Sequence, residues 1–146
     1  MIALLQRVSQ ARVVVSGETV GEIGPGILAL VGVVREDGPA QVERLLERML
    51  GYRLFEDEQG RMNLSLRETG GGLLLVPQFT LAADTRKGMR ASFTPAADPR
   101  AGEVLFDQLV VRAREVWPRV ATGRFGADMA VSLTNDGPVT FWIEAR

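Results

Sequence analysis

Polar groups follow abruptly after an apolar run near the middle of the chain. Leu73 to Val76 is entirely apolar, and it leads directly into Pro77, Gln78, Phe79 and Thr80. Ligand sites favour the ends of buried strands, because rigid backbone there presents N–H groups and side chains to a crevice. The Gln78 amide and the Thr80 hydroxyl are candidate contributors, and the N–H groups of Phe79 and Thr80 could form an oxyanion hole. The alternative is a strand that leaves the core through a turn, with Gln78 and Thr80 in local hydrogen bonds.

Histidine and cysteine are both absent from the sequence. Disulfides, thiol nucleophiles, imidazole bases and Cys/His zinc sites are therefore excluded. Hydroxyls, carboxylates, amides, Lys, Arg, Tyr and the backbone remain available for chemistry. A metal site would need carboxylates such as Asp84 or Asp128, and we expect neither a metal nor a cofactor.

A second candidate lies near the C-terminus, where Gly137 and Pro138 separate two alternating runs, Met129 to Thr134 and Val139 to Ile143. The plain interpretation is a hairpin turn over Asn135, Asp136 and Gly137, with Pro138 opening the next strand. The functional interpretation is that glycine lets another chain approach closely and that a cis X-Pro bond re-aims the preceding carbonyl. The residues themselves leave both open.

The elements that position these residues are mostly strands in the first third of the chain. Alternating and apolar runs predict an antiparallel meander over Ile2 to Val8, Ala11 to Ser16, Thr19 to Ile23 and Ile27 to Val34. Leu73 to Val76 predicts a further buried strand. Pro77 indicates that this strand either lies at an edge or already ends at Val76.

Two helices are indicated by proline at the first helical position. Asp37, Gly38 and Pro39 supply a cap and a start for an amphipathic helix, and Asp98 and Pro99 start a second, largely buried helix that runs to about Trp117. The predicted fold is α+β (mixed α/β), with a twisted, mainly antiparallel or open barrel-like sheet and helices packed on it. We expect one domain over residues 1–146.

The net charge of −1 argues against broad attachment to duplex nucleic acid. A small contact to RNA remains open through Arg86, Lys87 and Arg90, and the alternative is a solvated basic loop. No apolar run approaches a membrane span, and Met1 to Val8 is typical of a strand rather than a signal peptide. We therefore expect a cytoplasmic protein without membrane contact.

Two segments resemble the signature motifs of the D-aminoacyl-tRNA deacylase family: Gln78 to Asp84, and Asn135 to Thr140. The resemblance extends over essentially the whole chain. It includes Ile2 to Val8 with Gln6 and Arg7, Gly51 and Tyr52, Met62 and Asn63, and Gly123 to Met129.

The resemblance implies a homodimeric hydrolase that removes D-amino acids, and also glycine, from mischarged tRNA. It implies a cis Gly137–Pro138 bond and insertion of this pair into the partner subunit's site, where it excludes L-side chains. Gln78, Phe79 and Thr80 would form the other wall of that site. Two further roles are implied: Arg7 would brace the Gly-Pro turn, and Met129 would lie near the 3′-terminal adenosine of the tRNA.

One residue departs from the family pattern, because the motif usually begins with serine and this chain has Pro77. Proline lacks both the hydroxyl and the backbone N–H, so the serine's role cannot be transferred. Phe79 and Thr80 keep their N–H groups.

We expect ester hydrolysis in which the Phe79 and Thr80 N–H groups stabilise the oxyanion and the ribose 2′-hydroxyl helps to activate water. Thr80 as a covalent nucleophile is the less favoured mechanism, because no base is placed beside it by the sequence. Two alternatives remain for the function: a dimeric nucleic-acid-binding module without deacylase activity, which would use Arg86, Lys87 and Arg90, and a structural dimer without chemistry.

Overall fold

The structure is a computed structural model that describes residues 1–146. Eight strands and three α-helices follow one another along the chain. The strands are β1 (Ile2–Val15), β2 (Glu18–Ile23), β3 (Gly26–Gly32), β4 (Phe55–Glu56), β5 (Met62–Leu64), β6 (Gly72–Pro77), β7 (Val120–Thr122) and β8 (Ala130–Glu144). The helices are α1 (Pro39–Gly51), α2 (Leu66–Thr69) and α3 (Pro99–Val116), and a 3₁₀ helix spans Phe79–Ala82.

Six strands form one mixed sheet, and β4 and β5 form a separate hairpin. Strand β1 pairs antiparallel with β2, β3 and β8, whereas β6 pairs parallel with β3 and with β7. The predicted α+β class is confirmed. The sheet is less purely antiparallel than its alternating runs suggested, because the connection from β3 to β6 passes through α1 and allows parallel pairing.

The sheet curls towards a barrel. Gly21 of β2 lies so close to β7 that a Cβ atom on it would be 2.3 Å from the Thr122 carbonyl oxygen. Only glycine permits this approach of two backbones. The open barrel-like sheet predicted from the sequence is therefore what the structure shows.

Strand β1 is one strand of 14 residues, not the two strands predicted over Ile2 to Val8 and Ala11 to Ser16. Its first half pairs with β3, its second half with β2, and β8 runs along its other edge throughout. The register against β8 shifts between Val8 and Gln10, so the expected connection is a β-bulge. The bulge keeps Val8, Ala11 and Val13 on one buried face despite their uneven spacing.

Apolar side chains fill both faces of the central strands. Ile27 and Leu73 point into the larger core under α1 and α3, whereas Leu28 and Leu74 point into the smaller core inside the curled sheet. All four side chains are fully buried. Strands β3 and β6 are therefore rigid supports for the segment that follows β6.

The predicted helix starts are confirmed at Pro39 and Pro99. Asp98 caps α3 by accepting a hydrogen bond from the Ala101 N–H at 3.0 Å. Asp37 does not cap α1, because its carboxylate accepts from the Met1 amino group at 2.6 Å and from the Val34 N–H at 2.8 Å.

Helix α3 is buried along one stripe only. Leu105, Phe106 and Leu109 face the core, but Val104 and Val111 are exposed, so the expectation of a largely buried helix was wrong. None of the three α-helices combines the length and the apolar composition that a membrane-spanning helix requires.

Candidate active site at the end of strand β6

Strand β6 ends at Pro77, and the chain then turns into the 3₁₀ helix. The strand lies between β3 and β7, so the interpretation of Pro77 as an edge residue was wrong. Pro77 instead occupies the last position of the strand, where a missing N–H interrupts no further pairing. The next residue continues the hydrogen bonding to β3, because the Gln78 N–H donates to the Val31 carbonyl oxygen at 2.7 Å.

The first N–H groups of the 3₁₀ helix belong to Phe79 and Thr80, and they have no acceptor within the helix. They also donate none of the hydrogen bonds made between turns and loops. Both residues are exposed. Two neighbouring backbone donors on exposed residues thus have no acceptor at the end of a rigid strand, and such donors can bind a negatively charged oxygen.

The Thr80 hydroxyl accepts a hydrogen bond from Gln78 Nε2 at 2.7 Å. This contact is the local bond expected if the segment is simply a turn, and it also fixes the hydroxyl beside the free N–H groups. Thr80 Oγ1 forms no side-chain hydrogen bond with a lysine or a carboxylate, and the sequence contains no histidine. The hydroxyl therefore lacks a partner that could remove its proton.

Asp84 is the nearest carboxylate in the sequence, and it is occupied by Arg86. The Arg86 guanidinium donates to the two carboxylate oxygens at 2.9 and 2.8 Å, and the Arg86 backbone N–H donates at 3.0 Å. These hydrogen bonds, the side-chain ones first, lower the pKa of Asp84 from 3.8 to about 2. Asp84 is consequently a weak base and is unsuited to general-base catalysis near neutral pH.

The chain does not reverse at Asn135, Asp136 and Gly137, so the interpretation of these residues as a hairpin turn was wrong. Strand β8 continues through them and pairs antiparallel with β1 both before and after them. Residues 136–139 form a four-residue bulge opposite Arg7, because Gln6 pairs with Thr140 and Val8 pairs with Asn135. The Gly137–Pro138 bond is cis, and both residues are exposed.

Arg7 supports this bulge from beneath. Its side chain donates from Nε to the Asp136 carbonyl oxygen at 2.9 Å and from Nη1 to the Leu54 carbonyl oxygen at 3.0 Å. Only 8% of the residue is exposed. Asn135 Oδ1 accepts a hydrogen bond from the Val139 N–H at 3.0 Å, which joins the two ends of the bulge. The bulge is therefore held by specific hydrogen bonds at its base and presents its tip to solvent.

A sequence model of the family described as D-Tyr-tRNA(Tyr) deacylase matches residues 4–144 of this chain. The chain belongs to that family. A protein of Thioalkalivibrio sulfidiphilus named D-aminoacyl-tRNA deacylase is 77% identical over 144 residues, covering 99% of this chain and 97% of the relative. A protein of the same name from Alkalilimnicola ehrlichii is 66% identical over 146 residues, covering 100% and 97%. The resemblance seen in the sequence is thereby confirmed.

Two solved structures share the fold. One, of the c-Myc DNA Unwinding Element Binding Protein, has a TM-score of 0.95 and 35% identity and covers 100% of this chain and 99% of that one. The other, of a probable eukaryotic D-amino acid tRNA deacylase, has a TM-score of 0.79 and 21% identity and covers 98% of each chain. At that identity the second likeness concerns the fold alone.

The two family motifs are not adjacent within one chain. Strands β1 and β3 lie between β8, which carries Gly137 and Pro138, and β6, which leads to Gln78 and Thr80. Met129 lies closer to the end of β6. A Cβ atom on Gly123 would be 2.8 Å from Met129 Sδ and 3.4 Å from Pro77 Cδ, so Met129 and Pro77 flank the same glycine.

Phe93 was not singled out in the sequence, yet it contacts the site directly. Its ring stacks on the Phe79 ring with centroids 4.9 Å apart and an interplanar angle of 20°. Both rings are 43% exposed. No periodic pattern surrounds Phe93, and the pairing arises because the Asp84–Ser92 bridge folds the intervening loop back on the 3₁₀ helix.

Proposed function

We propose that this chain hydrolyses the ester bond of D-aminoacyl-tRNA and releases a free D-amino acid and tRNA. The observation that carries the proposal is the 77% identity, over 99% of the chain, with a relative named D-aminoacyl-tRNA deacylase. The family match over residues 4–144 supports a single deacylase domain over residues 1–146. This substrate would place the protein in the cytoplasm, where tRNA is charged.

In the proposed reaction, water adds to the carbonyl carbon of the ester and the carbonyl oxygen becomes an oxyanion. The Phe79 and Thr80 N–H groups, which have no acceptor in their own helix, stabilise that oxyanion. Collapse of the intermediate expels the ribose 3′-oxygen, which takes up a proton originally on the water. One oxyanion-hole donor typically contributes about 3 kcal/mol in acyl-transfer enzymes, and an ester is a labile bond.

Proton transfer is assigned to the ribose 2′-hydroxyl of the terminal adenosine. Two features support this assignment over a covalent Thr80 mechanism: Thr80 Oγ1 accepts from Gln78, and the carboxylate of Asp84 is held by Arg86. Gln78 then acts as a positioning residue that orients the Thr80 hydroxyl towards the substrate.

Selection of the D-configuration is assigned to Gly137 and Pro138 of a partner subunit in a homodimer. The bulge is exposed, its base is held by buried Arg7, and strands β1 and β3 separate it from the 3₁₀ helix of its own chain. Insertion of the bulge into a second copy would direct backbone carbonyls at the substrate's α-amino group and leave no room for an L-side chain. Glycine has no side chain to exclude, so Gly-tRNA is a substrate as well.

Met129 is assigned to the region that binds the 3′-terminal adenosine. It is half-buried, and its sulfur accepts a hydrogen bond from the Arg124 N–H at 3.3 Å, which fixes it beside the end of β6. The thioether is a soft, adaptable surface for a nucleobase.

A nucleic-acid-binding module without deacylase activity is the second candidate function. The solved structure titled c-Myc DNA Unwinding Element Binding Protein favours it, since it is 35% identical to this chain. Two measurements on the purified chain separate the two functions. The first is release of D-tyrosine from D-Tyr-tRNA, and the second is binding of the chain to duplex DNA at increasing salt concentration. Catalytic release with negligible duplex binding supports the deacylase, whereas steeply salt-dependent duplex binding without release supports the module.

A further inference from the structure

The loop over residues 85–91, called the basic loop below, is the most cationic surface segment beside the candidate site. It contains Arg86, Lys87 and Arg90 and no acidic residue, in a chain whose net charge is −1. Every residue of it is exposed. A local concentration of positive charge on a near-neutral protein indicates a contact with a few phosphates rather than with a long duplex.

The cations of this loop remain available for a ligand. Lys87 and Arg90 form no ion pair, in contrast to Arg112, which pairs with Glu43 and Glu115. Arg86 pairs with Asp84, yet 87% of its side chain is exposed. Its pairing fixes the beginning of the loop and still leaves guanidinium N–H groups facing solvent.

The base of the loop is fixed to the candidate site. Asp84 and Ser92 exchange two backbone hydrogen bonds, of 2.7 and 2.9 Å, and Phe93 stacks on Phe79 immediately afterwards. Arg35 Nε also donates to the Thr94 carbonyl oxygen. Both ends of the loop are therefore fixed beside the segment that carries the Phe79 and Thr80 N–H groups.

The distance between the loop and Thr80 corresponds to only a few nucleotides of a nucleic acid strand. Thr80 and Arg86 are six positions apart in the sequence, and such a segment spans at most about 20 Å. A stacked strand advances about 3.4 Å per nucleotide, so about six nucleotides cover the same distance. A 3′-terminal nucleotide bound at Thr80 would place the phosphates of the preceding nucleotides within reach of the loop.

We propose that the basic loop binds backbone phosphates of the RNA strand that leads to the 3′-terminal adenosine. This inference rests on the proposed function, because it takes the 3′ end to lie at Phe79 and Thr80. The loop supplies affinity for the polynucleotide and contributes nothing to the chemistry at the ester. It distinguishes a whole tRNA from an isolated aminoacyl-adenosine.

The first test compares the variant Lys87→Gln/Arg90→Gln with the variant Arg61→Gln/Arg114→Gln. Both remove two exposed charges that form no ion pair, and the control residues lie between β4 and β5 (Arg61) and on α3 (Arg114). For D-Tyr-tRNA, the loop variant should lower kcat/KM about 10-fold at low salt. The slope of log kcat/KM against log salt concentration should also become less negative by about 1.4, because two phosphate contacts are lost.

Hydrolysis of 3′-O-(D-tyrosyl)adenosine by the loop variant should stay within about 2-fold of the unaltered protein. Equal salt slopes for the loop and control variants would overturn the inference. So would an equal loss on the tRNA and on the adenosine ester, because the loop would then act on the site itself.

The second test needs no catalysis. It measures chemical labelling of Lys87, which is the only lysine of the chain. Acetylation with an N-hydroxysuccinimide ester, followed by mass spectrometry of the Lys87 peptide, reports access to the loop. Uncharged tRNA should slow this acetylation at least about 5-fold, and an equal concentration of tRNA lacking its 3′-terminal single strand should protect less.

No protection by tRNA, or stronger protection by duplex DNA, would overturn the inference. Protection by tRNA in a protein that releases no D-amino acid would instead refute the proposed function and leave the loop's contact with RNA intact. The failures of the two proposals are therefore distinguishable.

Discussion

Arg7 of β1 donates from Nε to the Asp136 carbonyl oxygen across 2.9 Å and thereby holds the bulge of β8 against β1. The two residues are 129 positions apart in the sequence. The same guanidinium also holds the Leu54 carbonyl oxygen at 3.0 Å. One buried cation thus supports the exposed segment to which we assign recognition of the D-configuration.

Replacing Arg7 by methionine is expected to destabilise the fold and to impair D-Tyr-tRNA hydrolysis more than the loss of stability explains. Methionine fills part of the volume but leaves the Asp136 and Leu54 carbonyl groups unpaired, at a cost of about 2–4 kcal/mol. Urea denaturation and kcat/KM measure the two effects. Arg12→Met is the control, since Arg12 is exposed on the same strand and should change stability by less than about 0.5 kcal/mol.

Replacing Gly137 by alanine should distort the tip of the bulge. The added Cβ atom would lie 2.7 Å from Val139 Cγ2 and 2.9 Å from the Val139 nitrogen, and the φ angle of +138° disfavours an L-residue. We expect at least a 10-fold loss of kcat/KM for D-Tyr-tRNA. Gly24→Ala is the matched control, because no atom lies within 4 Å of its added Cβ. Equal activity of the two variants would remove the bulge from the site.

Replacing Thr80 by alanine should leave part of the activity, because the variant keeps the backbone N–H that we assign to the oxyanion. Loss of the hydroxyl that Gln78 orients should misplace the substrate and lower kcat about 10- to 100-fold. Thr80→Ser should restore most of the rate. Complete loss of turnover in the alanine variant, together with an aminoacyl-enzyme trapped from the unaltered protein, would instead establish Thr80 as the nucleophile.

The Asp84 carboxylate should titrate far below its ordinary range. Its pKa is lowered from 3.8 to about 2, chiefly by the hydrogen bond from the Arg86 side chain. The ion pair therefore stabilises the loop fully at pH values above the ordinary pKa of 3.8. That contribution is lost as the pH falls from 3.8 towards about 2. Carboxyl NMR titration should therefore give a midpoint near pH 2, and Arg86→Gln should raise it towards 3.8.

Lys87→Gln is the control for this titration, since Lys87 is not among the groups that lower the Asp84 pKa. It removes a neighbouring charge of the same size and should leave the midpoint unchanged. A midpoint near the ordinary value in the unaltered protein would show that Arg86 does not hold the carboxylate in solution.

Helix starts were predictable from the sequence because their signals are local. Pro39 and Pro99 mark the first residues of α1 and α3, where proline costs no hydrogen bond. The position of the candidate site after Leu73 to Val76 was predictable for a similar reason. A fully apolar run must be buried, and the first polar groups after it must lie at its end.

The long strands were not predictable, because turn signals are also compatible with bulges. Asn135 makes the local hydrogen bonds of a turn, to the Val139 N–H and to Thr140 Oγ1, yet β8 does not reverse. The deciding factor is β1, which is long enough to pair with both halves of β8. Tertiary pairing of this kind overrides a local preference.

Contacts made by exposed side chains were likewise hidden from the sequence. Phe93 stacks on Phe79 only because the loop between them folds back through the Asp84–Ser92 bridge. The hydrogen bonds of Arg7 could be expected only from the family resemblance, because their acceptors are backbone atoms at positions 54 and 136.

Chiral selection by this protein can be measured as the initial rates at which the purified protein releases the amino acid from D-Tyr-tRNA, L-Tyr-tRNA and Gly-tRNA. We expect release of D-tyrosine and of glycine, and release of L-tyrosine at least about 100-fold more slowly, which corresponds to about 2.7 kcal/mol of activation free energy. Equal rates for D-Tyr-tRNA and L-Tyr-tRNA, or no release from any of the three, would contradict this expectation.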